Sequence, residues 1–143
     1  MHFILDELAI GNYEEALRPP PTVSALLNVA IEKDIYDTTL LYHKIPIVDM
    51  RPIPPEQMRE AVGWITEHIA QYRVMVFCNA GVGRSPSVAI GYLFCIAGYG
   101  FGEAVEFVAR RKSDISILPN LIRTVEVAKK ELEKEGVHRI LNW

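Results

Sequence analysis

The thirteen residues Val74 to Pro86 constrain this chain more than any other part of it. Val74-Met-Val-Phe77 is an apolar run of strand length. It leads directly into Cys78-Asn-Ala-Gly-Val-Gly-Arg84-Ser-Pro86, a short loop with two glycines that ends at a helix start. A buried strand turning tightly into a helix must cover both of its faces, which calls for parallel neighbours and flanking helices. The rest of the sequence supplies them. Leu8–Ile10, Val23–Val29 and Tyr42–Val48 are apolar runs bounded by Gly, Pro or Asn and read as strands. Met58, Val62, Ile65 and Ile69 form one helical stripe, beginning near Pro54-Pro55. Val88, Tyr92, Cys95 and Ile96 form a second, Ala104, Phe107 and Val108 a third, and Leu118, Leu121, Val125, Ala128 and Leu132 a fourth. The expected fold is α/β, with one central, largely parallel sheet flanked by helices.

The loop itself is suited to an anion. Gly81 and Gly83 allow a tight turn in which successive backbone N–H groups converge on one point. Ser85 as N-cap and Pro86 at the first helical position would set a helix N-terminus under that point. Arg84 adds a planar fork able to grip two oxygens of a phosphoryl group. A cysteine at the rim of this nest is held toward the nucleophilic thiolate by the same dipoles. No Gly-Lys-Ser/Thr is present, so this is not the loop of a nucleotide triphosphatase. Gly98, Gly100 and Gly102 separate two helical stripes and read as a linker.

Charge and cysteine content narrow the class. Fifteen basic against 18 acidic residues give a net charge of −3, the wrong sign for a nucleic-acid backbone binder. Two cysteines are too few for a disulfide framework, and His2, His43, His68 and His138 have no metal-binding spacing. No signal peptide or membrane span is read, so a cytoplasmic location is expected. No cofactor or metal is expected, because the loop already supplies the positive field.

Cys-x-x-x-x-x-Arg-Ser between strand and helix resembles the phosphate loop of the protein tyrosine phosphatase superfamily, and the short chain most resembles its dual-specificity branch. Leu8–Ala16 is similar to that family's opening strand and turn, Ile45-Pro-Ile-Val-Asp49 to its general-acid segment, and Arg110–Asn120 to its penultimate helix and loop. The resemblance implies one catalytic domain over residues 1–143, hydrolysing phosphotyrosine, and also phosphoserine and phosphothreonine, through a phosphocysteine. It assigns Cys78 as nucleophile and Arg84 as phosphate clamp. Asp49 becomes the general acid, with Asp34 and Asp37 as competing carboxylates. Ser85 eases departure of the cysteine thiolate. Asn79, Ala80, Gly81, Val82, Gly83 and Arg84 form the phosphate cradle, and Asn120 is a candidate brace for it. Asn79, Ala80 and Val82 add no positive charge, which weighs against a polyphosphoinositide.

Phe77 departs from the family pattern, in which a histidine usually precedes the cysteine and orders the loop. A less stabilised thiolate is therefore expected. Phe77 also keeps open a second reading, a catalytically weak phospho-binding module using the same nest. A sulfur-transfer or arsenate-reducing enzyme would share the Cys–Arg loop but would not need Asp49. Cys95 falls on an apolar stripe roughly 15 Å along the helix from the loop, beyond disulfide reach, and reads as core. The partner expected is a phosphoprotein, without nucleic acid or membrane. Nothing in the sequence sets the oligomeric state, and a monomer is compatible with it.

Overall fold

In the computed structural model, which describes residues 1–137, five strands form one sheet in the order β1-β2-β5-β3-β4. These are β1 (His2–Leu5), β2 (Leu8–Asn12), β3 (Ala25–Asn28), β4 (Leu41–Lys44) and β5 (Val74–Cys78). β2, β5, β3 and β4 run parallel, and β1 pairs antiparallel with β2 at the edge. The sheet is thus mixed but mostly parallel, as the apolar runs predict. β1 escapes the sequence pattern because its burial is poor: only Ile4 of its four residues is fully covered. β4 is shorter than the Tyr42–Val48 run, since Ile45 to Val48 leave the sheet although Ile45 and Ile47 stay buried.

Helices α2 (Pro55–His68), α3 (Arg84–Cys95), α4 (Phe101–Arg111) and α5 (Leu121–Lys134) follow the four expected stripes, except that Leu118 lies in the loop before α5 and Ile69 and Ile96 are the C-caps of α2 and α3. They pack with one face of the sheet into the larger core, where Val74, Val76 and Cys78 of β5 meet Val88, Ala89 and Val125. The other face is covered by the short helix α1 (Tyr13–Leu17) and loops, around Ala9, Ala16, Leu26, Met75 and Phe77. α1 is held by a capping box in which Asn12 Oδ1 accepts the Glu15 N–H and Glu15 Oε1 accepts the Asn12 N–H.

The two-residue alternation of a strand explains where the chemistry-bearing residue points. Val74, Val76 and Cys78 face the helices, whereas Met75 and Phe77 face α1. Cys78 therefore emerges at the carboxyl end of β5, under the start of α3, in the crevice where parallel α/β sheets bind ligands. α3 runs buried through the core, and Gly91 leaves room for Met58 of α2 to press against its backbone. Cys95 sits on that helix as a buried free thiol, its Sγ donating to the Val125 carbonyl, and burial pushes its pKa up to about 12. It packs as core, as its stripe predicts. Among the described residues no helix is long and apolar enough to cross a membrane, and no three His, Cys, Asp or Glu side chains gather into a metal site. His138 lies outside the described residues.

Candidate active site

The loop between β5 and α3 lines a cavity of about 300 Å³ through Cys78, Ala80, Val82 and Gly83, and Asp49 lines it too. Gly81 takes φ +78°, and a Cβ there would lie 3.0 Å from the Gly11 carbonyl oxygen. Both facts require glycine. Gly83 does not need the left-handed region. It is the N-cap of α3, with φ −116°. The helix therefore starts two residues earlier than the Ser-Pro pair suggests, and Ser85 is not its cap. No side-chain cap is present at all, and among the described residues the backbone N–H groups of residues 79–83 donate to no protein acceptor. An uncapped helix start below a run of free amides is an anion cradle.

Ser85, released from capping, faces the thiol instead. Its Oγ lies 3.3 Å from Cys78 Sγ and 3.3 Å from the Gly11 carbonyl oxygen, and its N–H donates to Sγ at 3.4 Å. Cys78 is 2% exposed, so these contacts are made in a dry setting.

Arg84 is 1% exposed, the largest fully buried side chain among the described residues. A buried guanidinium persists only if its donors are engaged. Nη1 and Nη2 donate to the two carboxylate oxygens of Glu32 at 2.7 and 2.6 Å, and Nη1 also donates to the Ile47 carbonyl at 2.9 Å. Asp49 Oδ2 lies 3.7 Å from Nη2. Burial favours loss of the Arg84 proton, but the Glu32 carboxylate, with smaller help from Asp49 and Cys78, raises its pKa on balance and holds the guanidinium charged. One donor is left over. Nε is buried and has no partner among the described residues.

Glu32 carries no sequence signal, because nothing local links it to Arg84. Its loop follows β3 and is built to present it. The fully buried Asn28 donates to the Lys33 carbonyl and accepts from the Ala30 N–H, while Lys44 Nζ donates to the Ile31 and Lys33 carbonyls. The Arg84 hydrogen bonds lower the Glu32 pKa to about 2 from an ordinary 4.5, against partial burial. With the folded value below the unfolded one, the pair's stabilisation is fully present above about pH 4.5 and is lost as pH falls toward about 2. Glu32 is 42% exposed, so solvent screens part of it. Urea unfolding of wild type and Glu32→Gln from pH 2 to 7 should show a wild-type advantage at neutral pH that disappears at the acid end.

Of the competing acids, Asp34 is tied to Lys44 Nζ at 2.7 Å, and Asp37 is exposed and does not line the cavity. Asp49 does line it. Its Oδ1 accepts the N–H of Met50, which stands at φ +61°, a region costing roughly 1–2 kcal/mol for a residue with a Cβ. Asn120 does not brace the cradle. It is exposed at the N-cap of α5, with φ +57°. The bracing comes from the preceding loop, where the Ser116 N–H donates to the Val82 carbonyl and the Leu118 N–H to Ser87 Oγ. Phe77 faces away from the cradle and packs against Tyr13, ring centroids 6.5 Å apart, while the Tyr13 N–H donates to the Asn79 carbonyl. Hydrophobic packing thus fastens the start of the loop where the family pattern has a histidine.

The architecture is that of a protein-tyrosine-phosphatase-type domain. Human DUSP28 superimposes with a TM-score of 0.77 at 16% identity, over 94% of this chain and 99% of that one. Tk-PTP in its active form gives 0.72 at 22%, over 92% and 95%. The model of the dual specificity phosphatase catalytic domain matches residues 14–131, and the chain belongs to that family. Rat dual specificity protein phosphatase 5 is 33% identical over 98 residues, 66% of this chain. The plant protein-tyrosine-phosphatase IBR5 of Arabidopsis thaliana is 26% identical over 125 residues, 83% of this chain. The aligned region is 25% of the rat protein and 47% of the plant one, so this chain spans only part of such relatives.

Proposed function

We propose that this domain is a metal-independent cysteine phosphatase acting on phosphotyrosine, and on phosphoserine and phosphothreonine, in proteins. The observation that carries the reading is the unpartnered, buried Nε of Arg84, six residues after Cys78 at the end of a loop whose amides are free among the described residues. With Glu32 holding the far end of the guanidinium, Nε and the near side of Nη2 are left to two phosphoryl oxygens.

Cys78 Sγ attacks phosphorus in line, the S–P bond forms as the P–O bond breaks, and Asp49 gives its proton to the departing oxygen. Arg84 and the loop amides stabilise the charge on the equatorial oxygens. Asp49, now a carboxylate, takes a proton from the water that attacks the phosphocysteine. Ser85 Oγ, 3.3 Å from Sγ, donates to the thiolate as it leaves. A thiolate nucleophile must stay reduced, which suits a cytoplasmic setting.

The test is phosphate release in EDTA from p-nitrophenyl phosphate and from a phosphotyrosine peptide. Asp49→Ala should lower kcat on the peptide by about 10²–10⁴. The loss should be smaller on p-nitrophenyl phosphate, whose leaving group departs readily as an anion. Equal losses on both would remove Asp49 from the acid role.

A further inference from the structure

Met50 is the residue the mechanism does not use and the protein's own packing does not explain. It is left-handed at φ +61°, a conformation glycine would adopt without strain. Its side chain gains nothing from burial, being 84% exposed. Among the described residues only its backbone N–H is hydrogen-bonded, to Asp49 Oδ1 at 2.9 Å, a bond that any residue but proline would make. A strained, exposed, apolar residue needs a reason outside the folding of the chain. The place it occupies supplies one, because Met50 lines the same cavity as Cys78 and Asp49, with Ile117, Leu118 and Pro119 also in the lining. Among the described residues, no lysine, arginine or histidine lines this cavity.

We infer that Met50 is a specificity-determining residue, which lays its thioether against the aromatic ring of a phosphotyrosine held in the cradle, with Ile117 also against the ring. The inference rests on the phosphatase reading above. A ring carried above the phosphate brings a flat apolar surface level with Met50 and Ile117, where sulfur–aromatic contact is favourable. A phosphoserine side chain is too short to present such a surface there, and its polar backbone would face an apolar rim. Met50 thus biases toward the aryl ester a cradle that by itself binds any phosphate monoester.

The test is binding, in the Cys78→Ser background, of a phosphotyrosine peptide and of the same peptide with phosphoserine, followed by calorimetry with and without Met50→Gly. Met50→Gly should weaken the phosphotyrosine peptide about three- to tenfold and leave the phosphoserine peptide within about twofold. The melting temperature should be unchanged or raised, because glycine relieves the strained φ. Met50→Leu should retain most of the preference. Equal weakening of both peptides, or of neither, overturns the inference, as does failure of the parent to bind the phosphotyrosine peptide. Wild-type turnover measured alongside separates the two failures. Turnover with no effect of Met50→Gly leaves the phosphatase reading standing and removes Met50 from it. Absence of turnover with the predicted peptide discrimination does the reverse.

Discussion

Cys78→Ser is expected to abolish phosphate release, by at least about 10⁴-fold in kcat, while the fold and the anion site persist. Serine is close to cysteine in shape, and Cys78 sits among contacts that a hydroxyl can reproduce: the Ser85 N–H at 3.4 Å and Ser85 Oγ at 3.3 Å. The groups that contact residue 78 do not make a serine nucleophilic: the Ser85 N–H donates to it, and the Ser85 hydroxyl is itself too weak a base to take an alcohol's proton. A neutral hydroxyl is therefore left where a thiolate is needed. Steady-state turnover of p-nitrophenyl phosphate in EDTA, with thermal melting and phosphopeptide binding on the same preparation, reads all three properties. Turnover within tenfold of wild type would mean that the nucleophile lies elsewhere. Equal inertness of wild type and variant, with both binding phosphopeptide, would make the cradle a recognition site.

Arg84→Lys is expected to cost about 10³–10⁵ in kcat, the range associated with an arginine that stabilises a phosphoryl group in transfer. The charge is kept, so any smaller loss would imply that only the local positive field matters. The fork is what lysine lacks. Arg84 uses one side of its guanidinium to hold both oxygens of Glu32 and the Ile47 carbonyl, and offers Nε on the other. A single ammonium cannot serve both sides at once. It will favour Glu32, whose carboxylate is always present, over a substrate that comes and goes. Glu32→Gln alone should cost less, since the Ile47 carbonyl and Asp49 remain near the guanidinium. Kinetics of the three proteins, with affinity for inorganic phosphate as an inhibitor, checks the order.

The elements that the sequence made legible are those whose determinants are close together in the chain. β5, the cradle, and the first turn of α3 occupy thirteen consecutive residues, so strand propensity, glycine turns and helix start are read from one short window. The four helical stripes are legible for the same reason, since residues three and four apart meet on one face. Local reading also misjudged Ser85. Its type favours an N-cap, but the pull of Cys78 Sγ and the Gly11 carbonyl moved it inside the helix, and the cap position fell to Gly83. Cys78 and Arg84 are legible from the chemistry of the loop itself, whereas Asp49 joins them only through the resemblance to a family; tertiary structure alone brings Asp49 Oδ2 to 3.7 Å from Arg84 Nη2.

By itself, then, the sequence determined the strand–loop–helix unit, that Cys78 and Phe77 point to opposite faces, and the parallel sheet that must surround them, because strand alternation and helical period are local. Tertiary structure decided which carboxylates meet Arg84, that Glu32 rather than substrate occupies the far side of its fork, and that Phe77 fastens the loop through Tyr13. Those pairings join residues separated by tens of positions. What selects them is the cost of burying a guanidinium and loop carbonyls without partners, and that cost exists only once the chain has closed around them.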